Sequence, residues 1–132
     1  MSLNGTWKLD WRFEEDRGKW NSVEAQVPGD AYLALQDAGI LPDLTVGTNV
    51  FAALRYEQCE WRYSRTFNAP KTGKGDRLEL VFEGVDTRAT YTLNGKVLGK
   101  SDNMFIPHRF DVTDMLRPTG NKLEVLIASP LL

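Results

Sequence analysis

The 132 residues are 42% hydrophobic and 26% charged, the composition of an ordinary globular chain with one core. A formal net charge of -2, with 16 basic and 18 acidic side chains interspersed, leaves no basic stripe and so excludes a nucleic-acid partner. Cys59 is the single cysteine, which excludes an internal disulfide and a thiolate metal site, and no apolar run approaches the ~18 residues that cross a bilayer, so no membrane partner is expected.

In chain order, "LNGTWKL" opens with the alternation of a strand, and Trp7 reads as a core anchor. Trp11 and Trp20 stay open between core packing and an exposed ring. "PGDAYLALQDAGILPD" breaks the period-two pattern. Asp30 can cap a helix whose Ala31, Leu33, Ala34, Leu35 and Ala38 recur at helical spacing, and Gly39 and Pro42 stop it. From Leu44 to Glu57 no period is visible, which predicts a long loop.

"EWRYSRTF" places Trp61, Tyr63, Arg65 and Phe67 on one strand face, with Glu60, Arg62, Ser64 and Thr66 on the other. Glu57 and Glu60, which flank Cys59, read as a solvated strand entrance, and Cys59 itself as a small apolar residue. "NAPKTGKGD" is a surface turn. "RLELVFE" then turns Leu78, Leu80 and Phe82 inward, and "TRATYTL" does the same with Ala89, Tyr91 and Leu93.

Asn94-Gly95 follows. This pair suits a type I′ turn because both central positions need positive φ, so "TYTLNGKVLG" is a hairpin. The polar patch Ser101 to Phe105 comes next. "FDVTDMLRPTGN" ends one strand, caps a single turn with Thr113 or Asp114, and turns into the last strand, "KLEVLIA".

Chemistry-bearing motifs are sparse. His108 is the one histidine and stands without a Gly-x-Ser-x-Gly elbow or a metal-ligand set, and Gly73-Lys74-Gly75 lies in a turn rather than opening a helix. No catalytic residue, cofactor site or metal site is therefore assigned. The eighteen carboxylates offer many pairs for glycoside chemistry, and the sequence selects none of them. With no basic-then-apolar leader at its start, the chain as given reads as cytoplasmic.

Six segments together carry a resemblance: "LNGTWKL", "VPGD" before a short helix, "CEWRYSRTF", "LVFEGVDTRATYTLNGKVLG", "SDNMFIPHRFDVTDML" and "NKLEVLIASP". In this order and spacing they resemble the N-terminal domain of family 2 glycoside hydrolases, of the β-mannosidase subtype. The resemblance runs from about Leu3 to Pro130. It implies an all-β, antiparallel jelly-roll β-sandwich of galactose-binding-domain type with one short helix.

It also implies a non-catalytic role beside an immunoglobulin-like domain and a catalytic TIM barrel, with both glutamates of a retaining mechanism on the barrel. A barrel alone takes ~250 residues, so this chain is expected to be inactive by itself. The family pattern continues past "SP" to a segment of the type Phe-Gly-Trp-Asp-Trp-Gly-Pro and a final strand, so residues 1–132 read as a single domain truncated at its C-terminal end. Two positions depart from the pattern: Ala31-Tyr32 stands where Val-His is frequent, and Cys59-Glu60 where Arg-Asp is.

The partners implied are a β-mannoside carbohydrate and the remaining domains of the same enzyme. Under this reading Asp102, Asn103 and Phe105 are substrate-binding candidates on a loop turned toward the barrel. The competing reading has Asp102 and Asn103 ordering the turn through their own backbone while Phe105 plugs the sandwich. Trp61 is a fourth substrate-binding candidate, although its strand pattern argues for the core. A free-standing carbohydrate-binding module is the alternative function, and an exposed aromatic platform would mark it. An apolar patch would instead mark a domain interface, and an unpaired sheet edge leads us to expect self-association of the isolated chain.

Overall fold

The computed structural model describes residues 1–13, 19–29, 31–41, 59–83, 88–102 and 106–128. They fall into two compact units, one comprising Ser2–Tyr63 with Ala128–Leu132 and the other Met1 with Ser64–Ile127.

In the first unit β1 (Gly5–Phe13) and β2 (Asn21–Val27) form an antiparallel pair. Trp7 stands opposite Ala25 and Leu9 opposite Val23, while on the other face Lys8 stands opposite Glu24 and Asp10 opposite Ser22. The first residues of β3 (Cys59–Phe67) lie beside β1, giving the strand order β2-β1-β3. Trp7, Leu9, Trp11, Ala25, Cys59 and Trp61 are all buried, so the alternation turns one apolar face inward along the three strands. Trp11 is thereby settled as core. The strand β2 was not anticipated: its inward residues Val23, Ala25 and Val27 are small, so its apolar signal is weak.

Helix α1 (Ala31–Asp37) lies against β2 and buries Ala34 and Leu35. It ends as the sequence requires. Gly39, at φ 77°, bonds its N–H to the Gln36 carbonyl (3.0 Å), and the Ile40 N–H reaches back to Leu35 (2.9 Å). This pair of bonds is the Schellman arrangement, which needs a left-handed residue where Gly39 sits. The expected cap Asp30 and the expected loop from Leu44 to Glu57 lie outside the described residues.

In the second unit the C-terminal part of β3 lies beside β8 (Asn121–Ile127), followed by β5 (Ala89–Leu93) and β6 (Lys96–Ser101). A two-stranded antiparallel sheet, β4 (Glu79–Phe82) with β7 (His108–Asp111), is the second layer. Tyr91 of β5 joins the layers, its ring 4.4 Å from Phe82 and 5.1 Å from Phe110. Leu80, Leu93, Val112, Leu123 and Val125 complete this core, each buried aliphatic side chain contributing roughly 1.5–3 kcal/mol. The fold is thus an all-β antiparallel sandwich with one short helix.

Asn94 and Gly95, at φ 50° and 84°, make the expected hairpin turn between β5 and β6. The pairing slips by one residue just beyond it: Tyr91 faces Gly99 but Thr92 faces Val97, which leaves Leu98 as a bulge. Beside this hairpin Asn121 is fully buried. Its amide nitrogen donates to the carbonyls of Phe67 (3.3 Å) and Arg117 (2.7 Å), and its oxygen accepts from the Arg117 N–H (2.8 Å) and Asn94 Nδ2 (3.0 Å). One side chain therefore ties a strand end, a turn and a hairpin together.

The turn after β7 differs from expectation. Asp111 closes it, accepting from the Thr113 N–H (3.0 Å) and hydroxyl (2.6 Å), and Thr113 uses that same hydroxyl to hold the Leu78 N–H (2.9 Å). Asp111, rather than Thr113 or Asp114, is the capping residue, because its carboxylate can accept both bonds at once.

Candidate functional site

The polar patch after β6 begins where the strand ends. Ser101 is buried, and its hydroxyl is 2.9 Å from that of Tyr91. Burial pushes the Tyr91 phenol up, and the hydrogen bond with Ser101 opposes this without cancelling it. Asp102 follows as an exposed residue outside any strand. Asn103 and Phe105 lie outside the described residues. A fixed Ser101 thus launches an acidic residue into solvent, and this geometry can present one carboxylate to a hydroxyl-bearing ligand.

Trp61 belongs to the other compact unit. It is 9% exposed on β3, in line with its strand pattern. His108 is half-buried, its ring 6.2 Å from Tyr91. Among the described residues no group of three or more His, Cys, Asp or Glu side chains is placed to hold a metal ion.

A second constellation, on the polar face of β1 and β3, was not anticipated. Asp10 is 1% exposed although Lys8, on the same strand face, is exposed and Arg12 half-buried. It accepts from Arg62 Nε (3.0 Å) and Nη2 (2.8 Å) and from the Ser22 hydroxyl, and Lys8 Nζ stands 3.6 Å away. Burial by itself would push the Asp10 carboxyl up. The hydrogen bonds from Ser22 and Arg62, with the positive charges of Arg62 and Lys8, outweigh it and hold the group below the usual carboxylate range.

Two residues on along β1 and two residues back along β3, Arg12 Nε donates to Glu60 at 2.9 Å, and the Glu60 side chain is only 19% exposed. Glu60 is therefore a paired residue beside β1, not the solvated strand entrance expected of it. The guanidinium carbons of Arg12 and Arg62 each lie 4.2 Å from the centroid of the Trp20 ring, within cation–π range. Trp20, left open by the sequence, is a partly exposed ring stacked on two guanidinium groups that carboxylates hold in place. The signal was present as alternating charge, Lys8-Asp10-Arg12 on one strand and Glu60-Arg62 on another, but nothing in the sequence pairs the two.

The same unit has a groove of about 450 Å³ between β2 and α1, lined by Val23, Gln26, Pro28 and Ala34 with Glu24 and Asp37. The two carboxylates give it an acidic lining. Gln26 is held there by a bond from its Nε2 to the Thr6 hydroxyl (2.9 Å).

Comparison with known proteins places these features in context. Residues 11–132 match the family model described as glycosyl hydrolase 2 galactose-binding domain-like. The chain is 39% identical over 108 residues to β-mannosidase B of Thermothelomyces thermophilus, covering 82% of this chain and 13% of that protein. It is 35% identical over 124 residues to β-mannosidase B of Emericella nidulans, covering 93% and 15% respectively. Among solved structures, β-D-mannosidase from Dictyoglomus thermophilum superposes with a TM-score of 0.81 at 37% identity, over 98% of this chain and 16% of that one. The chain thus spans less than a fifth of the length of each of these relatives.

Proposed function

The chain belongs to the galactose-binding-domain-like family of glycosyl hydrolase 2 proteins, and from this premise we propose that it acts as the non-catalytic N-terminal domain of a β-mannosidase-like glycoside hydrolase. Its work is to shape the rim of a substrate pocket and to pack against a catalytic barrel, and its partners are a β-mannoside and the other domains of the same enzyme. The observation that carries this reading is the pattern of coverage. At 37 to 39% identity, 82% to 98% of this chain aligns with only 13% to 16% of proteins named as mannosidases.

In this reading Asp102 offers its carboxylate to a sugar hydroxyl from an exposed position that Ser101 and Tyr91 fix, and Asn103 and Phe105, outside the described residues, are proposed as further substrate contacts. Trp61, buried on β3, contributes by holding the strand rather than by presenting a ring face. The retaining chemistry itself belongs to two carboxylates elsewhere in such an enzyme. A cytoplasmic location is proposed with it.

The test compares this 132-residue chain with the full product of its gene for hydrolysis of 4-nitrophenyl β-D-mannopyranoside. The longer protein is expected to cleave the substrate and the chain alone to be inert. Turnover by the chain alone, or a full gene product no longer than this chain, overturns the proposal.

A further inference from the structure

We infer that Tyr91 is a positioning residue for the substrate contact proposed at Asp102, acting through the Ser101 hydroxyl in a register that the bulge at Leu98 sets; this role rests on the accessory-domain reading and names what aims that carboxylate. Leu93 with Lys96 and Thr92 with Val97 leave the hairpin turn in regular order, and their continuation would set Leu98 opposite Tyr91 and Lys100 opposite Ala89. Instead Gly99 faces Tyr91 and Ser101 faces Ala89. Ala89, Tyr91 and Leu93 are all buried, so the extra residue keeps an ammonium group out of the core and turns a small hydroxyl into it.

The packing around Tyr91 holds that hydroxyl in place. A Cβ on Gly99 would meet Phe110 Cε1 at 2.8 Å, so the glycine lets the Phe110 ring close on Tyr91 to 5.1 Å between centroids, with Phe82 at 4.4 Å. The Tyr91 side chain is fully buried, and its hydroxyl lies 2.9 Å from that of Ser101. Stability does not demand this bond, since two buried hydroxyls exchanged for apolar groups of the same shape cost little. What the bond adds is direction: it ties the end of β6 to a ring packed on two others.

Asp102 is exposed directly beyond that anchor. The peptide joining it to Ser101 is planar, with ~3.8 Å between the two Cα atoms, so a fixed Ser101 leaves Asp102 only the rotations about single bonds. A carboxylate held close to its working place loses less freedom on meeting a sugar hydroxyl. Contact with a hydroxyl that does not react is made alike in the ground and transition states, so its loss raises KM and leaves kcat nearly unchanged.

The experiment measures steady-state cleavage of 4-nitrophenyl β-D-mannopyranoside by the full product of the gene. Tyr91→Phe, which removes one oxygen, should raise KM about fivefold, the scale of one neutral hydrogen bond, with kcat within about twofold of wild type. Ser101→Ala should match it. Asp102→Asn should raise KM too, and in that background Tyr91→Phe should add nothing, because both act on one contact. Asp10→Ala, which removes a buried ion pair in the other unit, should lower thermal stability and leave KM alone. In the 132-residue chain, Tyr91→Phe should move the Asp102 amide resonance while the dispersion of the remaining spectrum reports an intact fold.

An unchanged KM in Tyr91→Phe and Ser101→Ala overturns the inference, as does a full further rise in the Asp102→Asn background, an equal KM rise in Asp10→Ala, or an Asp102 resonance that stays in place. Each of these leaves the accessory-domain reading standing if the wild-type product cleaves the glycoside. A longer product that does not cleave it overturns that reading and the positioning role together.

Discussion

Replacing Asp10 with alanine removes the carboxylate that the polar face of the first unit is built around. The group is 1% exposed and takes two bonds from Arg62 and one from Ser22, so the substitution strips one guanidinium of its partner and leaves a hydroxyl without its acceptor. Breaking a fully buried ion pair from one side costs about 3–5 kcal/mol. Here the Arg62 side chain is 29% exposed and can recover water, which lowers the expected loss to about 2–3 kcal/mol. For a chain of this length that corresponds to a Tm decrease of ~8–12 °C.

Urea unfolding followed by tryptophan fluorescence measures the effect, with an unchanged m value indicating that stability alone has moved. Combining Asp10→Ala with Arg62→Met should recover part of the loss, because no charge is then left alone. The sign with pH follows from the lowered carboxyl pKa. Asp10 contributes fully above the unfolded value of about 3.9 and loses its contribution as pH falls through the lower folded value. The gap between wild type and variant should therefore close below about pH 4. A loss under ~0.5 kcal/mol at pH 7, or a gap that widens in acid, would refute this account of the cluster.

Asn121→Ala should destabilise the chain by about 2–4 kcal/mol, since four hydrogen bonds converge on one buried amide; thermal unfolding by circular dichroism measures it. Gly99→Ala should cost about 1–2 kcal/mol in the same assay, because the added methyl would meet Cε1 of Phe110 at 2.8 Å and force the ring to shift. Asp111 should titrate near pH 2 by carbon-detected NMR. The Thr113 hydroxyl is the chief cause, followed by the Thr113 N–H and Arg77, so Thr113→Val should raise that value toward the ordinary carboxylate range. Gly95→Val should cost about 1–2 kcal/mol, measured by urea unfolding, because a β-branched residue resists the φ of 84° the hairpin turn imposes.

The parts of this fold that were legible in the sequence are those decided within a few residues. Asn94-Gly95 dictates a turn by backbone sterics alone, Gly39 ends a helix for the same reason, and the alternation around Tyr91 or Val125 assigns faces without knowledge of a partner. What escaped was set by pairing across long separations. Arg62 reaches Asp10 across 52 positions, and only the registration of β1 between β2 and β3 converts five scattered charges into a cluster around Trp20. The resemblance of six segments to one family carried the function further than any single residue did, because the candidate side chains are individually ordinary: one exposed Asp102 and a buried Trp61 would not by themselves select a sugar.

The bulge at Leu98 bears on solubility. β6 closes one end of the sheet among the described residues, and a straight closing strand is an open invitation for a second molecule to add its own strand. The extra residue twists the backbone out of the flat geometry that such addition needs, and Lys96 and Lys100 set like charges on the same margin. A polymer propagating from this margin would have to bury both ammonium groups against copies of themselves, so β6 is a poor seed for runaway stacking even in a concentrated cell extract.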